Sequence, residues 1–148
     1  MTIEELRHVL SSRTRFYVQA RPGNSQVLGG QGTVKALRPD SHTVIFDEAG
    51  WWKFGDCSNV AFHNIYLWSL QSESPTLGLS RLRYGRQSAV HLVNFIEVAR
   101  NEWESGSPYA CGPDLYSARV RYSDRGLKLS WTIQGPNKNQ QLDYTYLE

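Results

Sequence analysis

The feature that most narrows the fold of this chain is a strict two-residue alternation in three consecutive runs near its end. Tyr116, Ala118, Val120 and Tyr122 fall on one side of the first run, with Ser117, Arg119 and Arg121 on the other. Leu127, Leu129, Trp131 and Ile133 oppose Lys128, Ser130 and Thr132 in the second, and Leu142, Tyr144 and Tyr146 oppose Gln141, Asp143 and Thr145 in the third. A period of two belongs to a strand, whose successive side chains point to opposite faces. The breaks, Ser123 to Gly126 and Gly135 to Asn139, are rich in turn formers. These residues predict an antiparallel meander with one apolar, aromatic face and one wet face.

Similar if less regular runs occupy 14–20, 30–37, 43–48, 60–70, 77–84 and 89–99, which brings the expectation to about nine strands. Turn signals separate them at Arg21 to Ser25, Arg38 to Ser41, Gln71 to Pro75 and Tyr84 to Arg86. Ahead of the strands, Thr2 followed by Glu5 is a capping box, and it predicts a short helix over about 2–11 with Ile3, Leu6 and Leu10 on one face. One short helix cannot cover the apolar face of so large a sheet, so the sheet must close on itself or fold into a sandwich. The expectation is an all-β fold: a single domain over 1–148, an antiparallel up-and-down barrel with strands between about 13 and 147. Gly29, Gly30 and Gly32 suit a strongly coiled strand in such a closure. A barrel of this size has room inside for side chains and one small ligand.

Composition removes several classes. At 148 residues one domain is the natural size, and 40% hydrophobic with 20% charged residues describes a folded chain. A net charge of +2 is too small for a nucleic-acid footprint. No window approaches the ~18 consecutive apolar residues of a membrane span, and the first residues carry Glu4 and Glu5 where a secretory leader would be basic. Cys57 and Cys111 match neither a zinc spacing nor a disulfide framework. The expectation is a cytoplasmic protein with two reduced thiols. Nothing calls for a metal or other cofactor, since paired metal-ligand motifs are lacking, and no Gly-x-Ser-x-Gly elbow is present.

The segment from Cys111 to Tyr116 (CGPDLY), then Trp131 to Lys138 (WTIQGPNK) and Tyr144-Thr-Tyr146, resembles the C-terminal signature of a calycin-like domain family of unknown function, related in shape to lipocalins and fatty-acid-binding proteins. Upstream, Gly30-Gln-Gly32, Phe46 to Gly50 (FDEAG) and Tyr66-Leu-Trp68 stand where that family has a Gly, an aromatic-x-Glu-x-Gly and an aromatic-x-Trp. The resemblance runs from Gln31 to Tyr146. It departs at Tyr109, where the family often has a His, and the stretch from Gly50 to Val60 matches no pattern. The resemblance implies a barrel and small-molecule binding; a fold by itself does not fix a function.

The candidate ligand-binding residues are Glu48, Arg81, Arg83, Tyr116, Trp131, Tyr144 and Tyr146. The aromatic face is either a core whose polar tips bond to neighbours or the wall of a ligand site, because Tyr and Trp join apolar area to an orienting donor. Arg81 and Arg83 share a strand face, with Arg86 beyond them in the turn. Facing inward, they would grip a carboxylate or phosphate; facing outward, they are solvated charge. The opposite phase, Gly78, Ser80, Leu82 and Tyr84, is no more apolar, so periodicity leaves both open. Glu48 shares a phase with Val44 and Phe46 and is expected inside. There it is either a structural acid paired with an arginine, or a group whose raised pKa suits a general base or a ligand contact. Lys138 reads as a turn lysine or a barrel-mouth cation. His63 and His91 read as hydrogen-bonded strand residues, with His91 on the face of Val93 and Phe95. The function expected is binding of a small hydrophobic or amphipathic ligand. An enzyme using an interior Glu or His as base, or a ligand-free interaction module, are the alternatives.

Overall fold

In the computed structural model, which describes residues 1–21, 27–73, 76–83 and 88–148, Thr2 caps helix α1 (Ile3–Ser11) as the capping box requires. Its hydroxyl accepts from the Glu5 N–H at 3.1 Å, and the Glu5 carboxylate accepts from the Thr2 N–H at 2.6 Å. These bonds satisfy amide donors that a helix start otherwise leaves free. Leu6, Val9 and Leu10 are buried, and α1 lies against the second, third and fourth strands. Its apolar face closes one end of the sheet.

That sheet has eleven strands: β1 (Arg15–Arg21), β2 (Val27–Asp40), β3 (Thr43–Phe54), β4 (Asn59–Gln71), β5 (Thr76–Arg83), β6 (Ser88–Ala99), β7 (Glu102–Ser105), β8 (Tyr109–Cys111), β9 (Asp114–Ser123), β10 (Gly126–Gln134) and β11 (Asn139–Leu147). Neighbours run antiparallel, and β11 returns to pair with β1, Phe16 opposite Tyr146. The ring shuts where Glu102, Trp103 and Glu104 of β7 face Arg121, Val120 and Arg119 of β9. Ten strands therefore make a closed barrel. The short β8 pairs only with β9, along the edge that β7 leaves uncovered.

This is the all-β, antiparallel, up-and-down barrel that the alternation predicts, with two strands more than expected. β7 and β8 are four and three residues long, too short for a period of two to show. The stretch from Gly50 that matches no pattern is the continuation of β3: Trp52 turns inward and stacks on Phe62 (centroids 5.0 Å apart, planes at 28°), while Trp51 is 48% exposed. The turn expected at Arg38 to Ser41 begins later, because β2 continues to Asp40. There the Asp40 carboxylate accepts from the His42 N–H and the Thr43 hydroxyl, both at 2.8 Å. The turns expected at Arg21 to Ser25, Gln71 to Pro75 and Tyr84 to Arg86 lie wholly or partly outside the described residues, as does Arg86.

A second correction concerns β6. Leu79 pairs with Val93 but Ser80 pairs with His91, so Leu92 is an extra residue, a bulge. The bulge resets the phase: Val93 and Phe95 are in the core, yet His91 is exposed. His91 therefore does not share their face.

The core gathers Phe46, Trp68, Leu77, Leu79, Phe95, Val120, Leu127 and Tyr146 above Leu6 and Leu10. Within it Gly32 of β2 faces Gly50 of β3. Phe16 and Phe62, the residues paired next to them, bring their rings to 5.9 Å. A Cβ on Gly50 would run into the Gln31 carbonyl and come within 2.8 Å of the Gly32 Cα, so the two strands approach this closely only without side chains there. Among the described residues no helix is long and apolar enough to cross a membrane.

Candidate functional site

At the end of the barrel away from α1 the interior is not filled. A hollow of about 180 Å³ opens there, bordered by Tyr66, Arg81, Arg83, Val90, Leu92, Tyr109, Cys111, Tyr116, Trp131, Ile133, Leu142 and Tyr144. Strand phase explains much of the lining. On β10 and β11 the apolar phase of the terminal meander supplies Trp131, Ile133, Leu142 and Tyr144. On β5 the phase that buries Leu77 and Leu79 continues to Arg81 and Arg83, so the two guanidiniums stand at the mouth. The bulge at Leu92 lets β6 add Val90 and Leu92 to the wall.

The rings meet edge to face. Tyr116 lies against Trp131 (centroids 6.3 Å, 75°) and against Tyr109 (6.3 Å, 72°), the geometry that aromatic quadrupoles favour. The Lys138 ammonium sits 3.5 Å from the Tyr116 hydroxyl and 5.9 Å from the centre of its ring, beside the barrel mouth. Arg81 donates to the Asn64 side-chain oxygen at 2.8 Å. Among the described residues neither Arg81 nor Arg83 forms an ion pair. The mouth thus carries cationic donors without matching carboxylates.

Deeper in lies Glu48, fully buried. The Tyr146 hydroxyl donates to its Oε2 at 2.6 Å, and its Oε1 has no hydrogen-bond partner among the described residues. Burial pushes the Glu48 carboxyl up to about 8, the Tyr146 bond offsetting part of the effect, so the group is largely neutral at physiological pH. Burial likewise raises the hydroxyls of Tyr66, Tyr144 and Tyr146, and the neighbouring Glu48 adds to each. They remain protonated donors. Glu48 is inside, as its phase predicts, but its partner is Tyr146 rather than an arginine.

Of the seven candidates, Arg81, Arg83, Tyr116, Trp131 and Tyr144 border the hollow. Glu48 and Tyr146 form a pair below it, joined to the wall through Tyr144, whose ring lies 6.0 Å from that of Tyr146. Sequence reasoning misses Tyr66, Tyr109 and Asn64. Tyr66 alternates inward with Trp68 and Leu70, a signal blurred because Ile65 and Leu67 make the other phase apolar too. Tyr109 sits on the three-residue β8, where no period can be read. His63 pairs with Asp47 across β3 and β4 and is exposed. Cys57 and Cys111 are free and exposed, Cys111 at the rim of the hollow.

A larger depression of about 470 Å³ lies on the outer face of β9, β10 and β11. Its arginines pair with carboxylates: Arg119 with Glu104 at 2.7 Å, Arg121 with Glu102 at 2.9 Å, and Arg21 with the buried Asp143 at 3.1 Å. An exposed pair such as Arg119–Glu104 is ordinary surface chemistry, and size alone does not make the outer depression the better site.

No curated protein and no solved structure matches the chain significantly. A family model does, over residues 11–148, and the chain accordingly belongs to a family of unknown function, DUF6314.

Proposed function

We propose that this protein is a cytosolic, single-domain, calycin-like binding protein that takes a small, partly apolar ligand into the open end of its barrel. Tyr116, Trp131 and Tyr144 supply the wall, and Arg81 with Arg83 supplies the anchor for an acidic group. The observation that carries this reading is the pairing of an unfilled aromatic hollow with two guanidiniums that have no carboxylate partner at its mouth. A concave, mostly apolar space with a few convergent polar groups is the usual form of a small-molecule site, and a guanidinium fork matches a carboxylate or phosphate. Two free thiols fit a reducing compartment.

The same arrangement favours binding over turnover. Glu48, the candidate general base, is fully buried, bonded to Tyr146 and not among the residues that border the hollow.

Tryptophan emission tests the proposal, since Trp131 borders the hollow. Titration with a panel of amphipathic acids from single-ring to long-chain, isoprenoids, retinoids and tetrapyrroles is expected to give a saturable change with at least one class. Val90→Phe, which narrows the hollow from β6, should weaken it. If no class changes the emission of the unmodified protein, the proposal fails.

A further inference from the structure

The dimensions of the hollow and the placement of its charges narrow the ligand further, on the reading that the hollow is a ligand site at all. Its volume is about 180 Å³. An engineered protein cavity of ~150 Å³ holds one benzene molecule, whereas drug-sized ligands occupy pockets of roughly 300–1,000 Å³. The space therefore accommodates one ring and a short substituent. A retinoid, a tetrapyrrole or an extended fatty-acid chain is too large to be enclosed there, and the floor offers no continuation: Tyr144 and Tyr146 are buried, and α1 closes the far end.

Charge and shape give the rest. Arg81 is held by Asn64 through one N–H, at 2.8 Å, and a guanidinium has five donors in a fixed fork. The remaining donors are available to a carboxylate. Arg83, two residues along the same strand face, starts about 6.5–7 Å further out along the backbone and adds to the positive field at the mouth. The Tyr116 and Trp131 rings present an edge-to-face wall, at 75°, that receives a planar ring better than a puckered one.

We propose that the hollow binds a monocyclic aromatic acid, its ring against Tyr116 and Trp131 and its carboxylate on Arg81.

The test is isothermal titration of the full chain with benzoate and 4-hydroxybenzoate, alongside benzyl alcohol, cyclohexanecarboxylate, palmitate and retinoate. Benzoate or 4-hydroxybenzoate is expected to bind at least tenfold more tightly than benzyl alcohol, and several-fold more tightly than cyclohexanecarboxylate. Arg81→Gln should bring benzoate down to the level of benzyl alcohol and leave benzyl alcohol unchanged, with Arg83→Gln costing less. Unaltered benzoate binding by Arg81→Gln overturns the anchor. Palmitate or retinoate binding more tightly than benzoate overturns the single-ring assignment, while the interior-ligand reading survives. If none of the six compounds binds and the emission panel is also silent, the interior-ligand reading itself is lost.

Discussion

The Tyr146 hydroxyl and the Glu48 carboxyl, 98 positions apart in sequence, meet at 2.6 Å in the barrel interior, and among the described residues no cation pairs with them. A neutral acid is what such a place tolerates, because an unpaired buried charge is costly.

That pair makes stability depend on pH. The carboxyl titrates at about 8 in the folded protein against an ordinary 4.5. The folded state therefore holds a proton that the unfolded chain releases between these values, and stability falls as pH rises through the window. The contribution is complete below about pH 4.5, is lost progressively up to about pH 8, and is constant above. At about 1.36 kcal/mol per pKa unit it amounts to something on the order of 5 kcal/mol. Urea unfolding at a series of pH values should show this slope, and Glu48→Gln should abolish it. An unchanged slope in the variant assigns the dependence to another group.

Trp131 is 9% exposed and its ring abuts Tyr116. Trp131→Ala should lower stability by about 3–5 kcal/mol through cavity formation. A loss below ~1 kcal/mol in chemical denaturation would mean that the ring supports little of the interior packing.

At Gly50 a methyl group meets the backbone of β2. Gly50→Ala is expected to cost about 1–3 kcal/mol or more, because strands rather than side chains must move. Gly106, whose added Cβ would have nothing within 4 Å, is the control, and Gly106→Ala should leave the melting midpoint within a degree or two of the parent.

The capping box of α1 gives a local prediction. Thr2→Ala should cost about 0.5–2 kcal/mol of helix stability, seen as faster amide exchange at Glu5 and Leu6. Amides of β10 such as Leu129 should keep their protection. Uniform acceleration across the barrel would show instead that α1 and the sheet unfold as one unit.

What can be read from the residues depends on whether a local pattern has contrast. The α1 cap is written within four residues, so it is legible. β9, β10 and β11 have a wet face and an apolar face, and alternation exposes them and the inward direction of Tyr116, Trp131 and Tyr144. β3 beyond Gly50 has Trp51 outside and Trp52 inside, which erases the contrast. β5 mixes apolar and polar residues in each phase, Leu77 and Leu79 with Arg81 and Arg83 in one and Leu82 with Gly78 and Ser80 in the other, so only the sheet register can aim Arg81 and Arg83 at the hollow. The extra Leu92 reverses the facing of His91, since a period of two cannot survive an inserted residue. The partnership of Glu48 with Tyr146 joins strands that become neighbours in space only after closure and coiling, and no short-range pattern encodes it.

Because Leu6 and Leu10 close the opposite end, the hollow opens, among the described residues, at one end of the barrel, beside Arg81 and Arg83. On the proposed function, a ligand would enter and leave past the same residues. Substitutions that only narrow this passage should slow arrival and departure by equal factors and leave the equilibrium untouched, whereas changes to the wall behind it should alter residence time alone.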